Sequence, residues 1–370
     1  MGSDPSGSRS PSHMTVVRSR QIPRRLSLAF LSMLIVGCAN PAPSVQARPS
    51  VQAKPSLSPS TSPPLSTAEP VQQNQSPGLD GNTNTIAFGG RIGSPVVQAE
   101  GTLLFDGDIF TVGVDGSSLR RLTRSGGGKG TFSWSPDGRQ IVFRWDPSGT
   151  NWNASDIAIV TVSDLKVRTL AHEAWSPAWS PGGDWIAYYS ASAVAYGLYI
   201  IRPDGSDKRQ ILPGDAEYPT WSPDGRRLAF MSLGFPASSS PSSADYEIYA
   251  VDVDGGNVQR LTNLTGEDGW PAWSHDGTRI AYTRMPTEAE SEIHVMTADG
   301  QDDRLIADPN DSLEEYSPSW SPNDRYIAYH AYTQTESSSV VSGLFAVRPD
   351  GSGRLLIRSD GFEPAWKPVP

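Results

Sequence analysis

At 370 residues, with 30 basic and 40 acidic side chains, the chain is long enough for a large core, and its formal net charge of −10 disfavours nucleic acid and anionic lipid surfaces as partners. Its 35 glycines and 32 prolines suit many short strands joined by turns and exclude an architecture of long helices. With one cysteine, no intramolecular disulfide can support the fold.

Residues 1–13 are small and polar and read as an added leader before a natural start at Met14. Residues 14–37 read as an export signal: Arg18, Arg20, Arg24 and Arg25 precede an apolar stretch from Leu26 to Gly37 that is too short to span a bilayer comfortably. That stretch ends Leu34-Ile35-Val36-Gly37-Cys38, which resembles a lipobox, so lipidation is expected at Cys38. Two or three acyl chains there would anchor the protein durably, because each buried methylene contributes about 0.8 kcal/mol. Loss of residues 1–37 removes five arginines and one aspartate and takes the net charge to −14.

Residues 38–82 read as a Pro/Ser-rich tether, with nine prolines between 41 and 78 and the near-duplicate SVQARP and SVQAKP. Such a composition makes no packed core. It would span about 120 Å as polyproline II and about 35 Å as a coil.

From residue 83 to 370 the chain repeats. Ser133-Trp134-Ser135-Pro136-Asp137-Gly138 returns around Trp179, Trp221, Trp273 and Trp320, and in part around Trp366. The tryptophans lie 45, 42, 52, 47 and 46 residues apart, the period of a four-stranded propeller blade. Within a period, Pro-x-Trp-Ser is a strand and Ser-Pro-Asp-Gly a tight turn. A β-branched and aromatic strand follows, such as Ile141-Val142-Phe143, and then a variable loop.

Third strands are expected to start at Asp108, Asp156, Gly197, Glu247, Glu292 and Gly343. Asp-Gly hairpin turns at 115, 204, 254, 299 and 350 lead to fourth strands carrying Arg121-Leu122-Thr123 or Arg260-Leu261-Thr262. A second strand at 84–88 lacks its own Trp strand, and the Trp strand at 364–366 lacks the rest of its blade. These two fragments complete one another, so the expected fold is all-β: a six-bladed propeller whose closing blade takes three strands from the N-terminal side and one from the C-terminus.

The run Pro-x-Trp-Ser-Pro-Asp-Gly-Arg-x-Leu-Ala-Phe, then Glu-Ile-Tyr-x-Val-Asp-x-Asp-Gly-Gly, then Arg-Leu-Thr, resembles the TolB-like propeller repeat over residues 84 to 366. The resemblance implies a six-bladed propeller and, by the family's company, either a periplasmic partner of an envelope lipoprotein or a propeller attached to a peptidase. The α/β domain that precedes the propeller in TolB has no counterpart here, since the tether takes its place. A Gly-x-Ser-x-Gly nucleophile elbow is absent from residues 83–370, so peptidase chemistry has no signal.

In propellers of this plan both tight turns lie on one face and both variable loops on the other, where binding is expected. The loops entering each innermost strand carry a carboxylate beside an aromatic: Glu173 with Trp175, Glu217 with Tyr218, Glu267 and Asp268 with Trp270, Glu314 and Glu315 with Tyr316, and Glu363 with Phe362. Ring symmetry would bring them into an acidic, aromatic-rimmed funnel at the channel mouth, suited to a peptide, a sugar or a cation, unless they serve blade packing and loop capping instead. Lys129, in the Gly126–Gly130 loop, breaks the pattern. The six tryptophans are read as packing, and the turn aspartates as hairpin residues rather than calcium ligands. His172, His275, His294 and His330 show no metal-ligand spacing, so no metal or cofactor is expected.

The expectation is therefore a lipid-anchored, extracytoplasmic, monomeric and non-catalytic binding propeller that engages an envelope protein or peptide, or a carbohydrate, without nucleic acid. Alternatives are a polysaccharide-acting lyase or glycosidase with channel-mouth carboxylates, and a small-ligand or metal sensor.

Overall fold

A computed structural model describes residues 85–90, 107–148, 155–234, 245–287, 290–307, 314–334 and 340–369, all within one compact unit. Cys38, the leader, the export signal and the tether lie outside the described residues, as do 91–106 and 235–244 of the two long insertions. The described residues form 24 strands in six four-stranded antiparallel sheets.

Blade 1 sets β24 (Phe362–Trp366) beside β1 (Thr85–Gly90), β2 (Asp108–Gly113) and β3 (Arg120–Arg121). Blade 2 runs from β4 (Gly128–Trp134) through β5 (Gln140–Asp146) and β6 (Asp156–Thr161) to β7 (Val167–Ala171). Blade 3 begins with β8 (Ala174–Trp179) and β9 (Ile186–Ser190), blade 4 with β12 (Glu217–Trp221) and β13 (Arg227–Ser232). Blade 5 begins with β16 (Glu267–Trp273), β17 (Arg279–Thr287) and β18 (Glu290–Thr297), and blade 6 with β20 (Glu314–Trp320) and β21 (Ile327–Gln334).

Closure follows the expected pairing. Ile86 lies opposite Trp366 and Ala87 opposite Ala365, and the Lys367 N–H donates to the Thr85 carbonyl at 2.7 Å. The C-terminal strand thus covers an edge that β1 would otherwise expose.

The sheets stand face to face, and the core lies between them. Because successive strand residues point to opposite faces, Ile86 and Phe88 pack with Leu344 and Ala346 of blade 6, while Ala87 packs with Phe132 and Phe143 of blade 2. Second strands are therefore buried on both sides, and the short outermost strands β3 and β7 face solvent.

The repeat motif explains itself in hydrogen bonds. In the first tight turn the Ser135 hydroxyl donates to Asp137 at 2.6 Å, and the Asp137 carboxylate accepts the Arg139 N–H at 3.0 Å. Gly138 takes φ +64°, the left-handed region. The Arg-Leu-Thr signature grips the acid that opens the third strand: Arg121 and Thr123 both bind Asp108, and the Ile109 N–H donates to Thr123 Oγ1. Arg260, Thr262, Glu247 and Ile248 repeat the arrangement in blade 4.

Where one turn lacks its proline, the turn of the next blade compensates. His275 replaces the proline and so exposes an N–H, while Asp324, at φ +55°, replaces the glycine of the next blade's turn. The Asp324 carboxylate accepts the N–H groups of His275 and Asp276, each at 2.8 Å. Elsewhere the glycine of one turn sits against the proline of the preceding blade, as Gly183 does against Pro136 and Gly277 against Pro223.

Candidate functional site

Every innermost strand carries one bulge at the same place. Thr131, Ser176, Tyr218, Trp270, Ser317 and Glu363 all have φ between +50° and +55°, and in five blades this residue immediately precedes the strand's proline. Non-glycine residues rarely adopt this region, least of all β-branched threonine. The bulge displaces the pairing register of all six inner strands and turns these six side chains towards the ring's axis, where they line its central cavity.

That cavity has a volume of about 450 Å³. Its wall runs from the six bulge residues along the inner strands to Pro136, Pro181, Pro223, His275, Pro368 and Val369. Pro181, His275 and Val369 are exposed, whereas Ser176 and Trp270 are buried. Its rim is therefore open on the tight-turn face, while at the loop-side end Thr131, Tyr218, Ser317 and Glu363 are half-buried.

The wall has a two-blade period. The residue before each tryptophan reads Ser133, Ala178, Thr220, Ala272, Ser319, Ala365 around the ring. Each hydroxyl accepts the backbone N–H of the next blade's tryptophan: Trp179 to Ser133 at 2.9 Å, Trp273 to Thr220 at 3.4 Å and Trp366 to Ser319 at 3.3 Å. At the intervening junctions the indole acts instead, Trp134 donating to the Ala365 carbonyl, Trp221 to Ala178 and Trp320 to Ala272, at 3.0–3.1 Å. The remaining indoles of Trp179 and Trp273 donate to their own turns at Gly183 and Gly277. Trp366 Nε1 is buried without a partner among the described residues. The tryptophans are packing residues, as their repetition implies.

Of the twelve residues expected at the channel mouth, Tyr218, Trp270 and Glu363 line the cavity. The others divide between blade packing and the loop surface. Trp175 and Tyr316 occupy the position before the bulge: Trp175 rests against Tyr189, with its ring centroid 4.7 Å from the Arg144 guanidinium carbon, and Tyr316 stacks on Tyr332 and His330. Asp268 and Glu315 are buried, the latter 3.3 Å from Arg354. Glu173 is exposed, Glu267 and Phe362 are half-buried, and Glu314 opens β20 opposite Tyr332. Lys129 is fully buried, donating to the Gly126 and Gly127 carbonyls and lying 3.5 Å from Asp108.

At the loop-side end of the inner strands two unlike halves face each other. Across blades 4 to 6 runs an aromatic belt, with Tyr218 to Trp270 centroids 5.2 Å apart and Trp270 to Tyr316 5.5 Å apart edge to face. Across blades 1 to 4 lies an ionic cluster around the buried Arg144 of β5, whose charge is faced by Glu363, Glu217 and Asp146. Arg144 carried no sequence signal, because it enters from the second strand rather than from a mouth loop. Its Nε donates to Ser155 at 3.0 Å.

Burial and then the neighbouring Asp215 hold the Glu217 carboxyl well above its ordinary range, and the two acids hydrogen-bond. Burial also raises Glu363, opposed by the Thr131 N–H and by the charge of Arg144. Gly130 leaves room for the Glu363 carboxylate, which would have to shift to admit a Cβ 2.6 Å from Oε2. His330 is pushed down to about 3 by burial, and as a neutral ring it accepts the Glu363 N–H on Nδ1. Asp268 is pushed up to about 7 by burial and by Glu247.

The comparisons with known proteins agree with this architecture. The TolB beta propeller domain matches residues 153–370. An uncharacterized protein of Agrobacterium fabrum is 31% identical over 166 residues, covering 42% of this chain and 55% of that protein. A TolB homolog of Chlorobium luteolum is 28% identical over 197 residues, covering 52% of this chain and 42% of that one. The chain thus spans about half or less of the length of these relatives. TolB from Acinetobacter baumannii superposes with a TM-score of 0.61 at 20% identity, over 77% of this chain and 67% of that one. With more than half of its length matched and six blades of the same build, the chain belongs to the TolB β-propeller family.

Proposed function

We propose that the protein is a non-catalytic binding propeller that works outside the cytoplasm, held to a membrane through Cys38, and that it engages an envelope protein or peptide at the loop-side end of its channel. Family membership supports a binding role, and the export signal and lipobox-like segment support the location. The observation that carries the reading is the aromatic belt Tyr218–Trp270–Tyr316 set against the Arg144–Glu217–Glu363 cluster, since flat rings beside buried charges are what a peptide hot spot uses. The polysaccharide-enzyme alternative is less well supported. Asp215 and Glu217 are in hydrogen-bond contact, whereas acid and base carboxyls of glycosidases stand about 5–9.5 Å apart.

Affinity capture from envelope extract tests the reading, with wild type compared with a Glu267→Ala, Trp270→Ala, Tyr316→Ala variant whose melt is checked first. The folded variant should lose the partners that wild type recovers. Recovery of the same partners by both would remove the loop-side site.

A further inference from the structure

The cavity that opens on the tight-turn face has a wall of one chemistry and an inner end of another. Along the wall stand indoles, prolines and the hydroxyl residues Ser133, Ser180, Thr220, Ser274 and Ser319, with Thr131 and Ser317 at the inner end. At the inner end stands Glu363, the only acid among the described residues that line the cavity, and no described lysine or arginine lines it. Ser176 also lines this end, and its hydroxyl is buried with no partner among the described residues. A buried hydroxyl with unused hydrogen-bonding capacity costs free energy unless something polar meets it.

We infer that this cavity is a binding site for a primary ammonium group on a slim apolar stem, entering from the tight-turn face, with Glu363 as counter-ion and Ser176 accepting one ammonium hydrogen. Charge complementarity selects the cation: an anion would meet Glu363 and rings whose faces are electron-rich. Shape selects the stem, because the prolines and indoles along the wall reward methylenes. The backbone conserves the device. Glu363 is held at φ +50°, with the Thr131 N–H on its carboxylate and Gly130 leaving room for it, so the acid is fixed before any ligand arrives. Arg144 is not among the described residues that line the cavity, and Asp146 faces the same guanidinium.

The site shares Glu363, Tyr218 and Trp270 with the loop-side site proposed above but is entered from the opposite face, so amine binding without capture of a partner, or capture without amine binding, separates the two readings. It is tested on the full chain by calorimetric titration with N-acetyl-lysine N-methylamide, with the same compound acetylated on Nε, and with n-butylammonium. At least one of the two ammonium probes should bind about tenfold or more tighter than the acetylated form, the discrimination expected of one buried counter-ion. Preference for the lysine probe assigns the site to peptide side chains, and preference for butylammonium to free alkylamines. Glu363→Gln should reduce the discrimination to about threefold or less, and Ser176→Ala should weaken the charged probe about threefold or more. Equal affinity for charged and acetylated probes, or discrimination untouched by Glu363→Gln, overturns the inference. Should that variant fail to fold, Pro181→Trp at the exposed rim decides, because it narrows the tight-turn opening; unchanged binding of the charged probe would then overturn it.

Discussion

His294 stands where other blades place a second aromatic ring. In blades 1, 4 and 6 a pair of rings stacks between strands two and three, as in Phe230 with Tyr249 and Tyr329 with Phe345. In blade 5 the partner of Tyr282 is His294, and both its nitrogens face carboxylates: Nδ1 lies 3.0 Å from Asp303 and Nε2 3.1 Å from Glu292. With two acceptors to satisfy, the ring must carry two protons. Burial opposes that charge, but the hydrogen bonds and charges of Asp303 and Glu292 outweigh it, so the His294 pKa is raised above 6.5. A raised folded-state pKa gives stability that is full below the unfolded value and is lost as pH rises through the folded one. The advantage of wild type over His294→Gln should therefore be largest at pH 6 and shrink towards pH 9 in denaturant melts. A gap that stays constant or widens with pH would refute the charged assignment.

At the scale of the strand, the inner wall uses two kinds of joint, and they predict unequal costs for similar substitutions. Ser133→Ala leaves the buried Trp179 N–H without its acceptor and should cost about 1–3 kcal/mol. Ala178→Ser adds a hydroxyl at a junction already joined by the Trp221 indole and should change stability by less than about 1 kcal/mol. Equal effects in thermal melts would mean that the alternation is incidental. Strand identity, turn chemistry and closure were legible in the sequence because each rests on local residue types, such as the glycine of Ser-Pro-Asp-Gly or the β-branched run Ile141-Val142. The mouth was legible only in part. Tyr218 and Trp270 stand immediately before a proline, but Trp175 and Tyr316 stand one residue earlier, and at a bulge that single step sends a side chain from the channel to the gap between blades. Counting back from the proline would have separated them. Arg144 was beyond such counting, because only the sheet pairing brings β5 beside the inner strand.

For the whole molecule, closure concentrates dependence on a short piece of chain. β24 supplies blade 1 with its inner strand, gives Trp366 to the core shared with blade 6, and lends the Ala365 carbonyl to Trp134 and Glu363 to Thr131 of blade 2. Removing residues 360–370 therefore strips two junctions at once and should abolish the single cooperative unfolding transition. A truncated protein that melts as one transition at the wild-type temperature would show that the ring does not depend on its closing strand.

The two kinds of joint along the inner wall also constrain how many blades such a ring can have. A hydroxyl junction is always followed by an indole junction, and the sequence runs through three such pairs before meeting itself. Only an even number of blades lets it do so. A ring enlarged or reduced by one blade would bring two junctions of the same kind together. The repeating unit of this wall is a neighbouring pair of blades, and parity is a property of the wall that no single repeat contains.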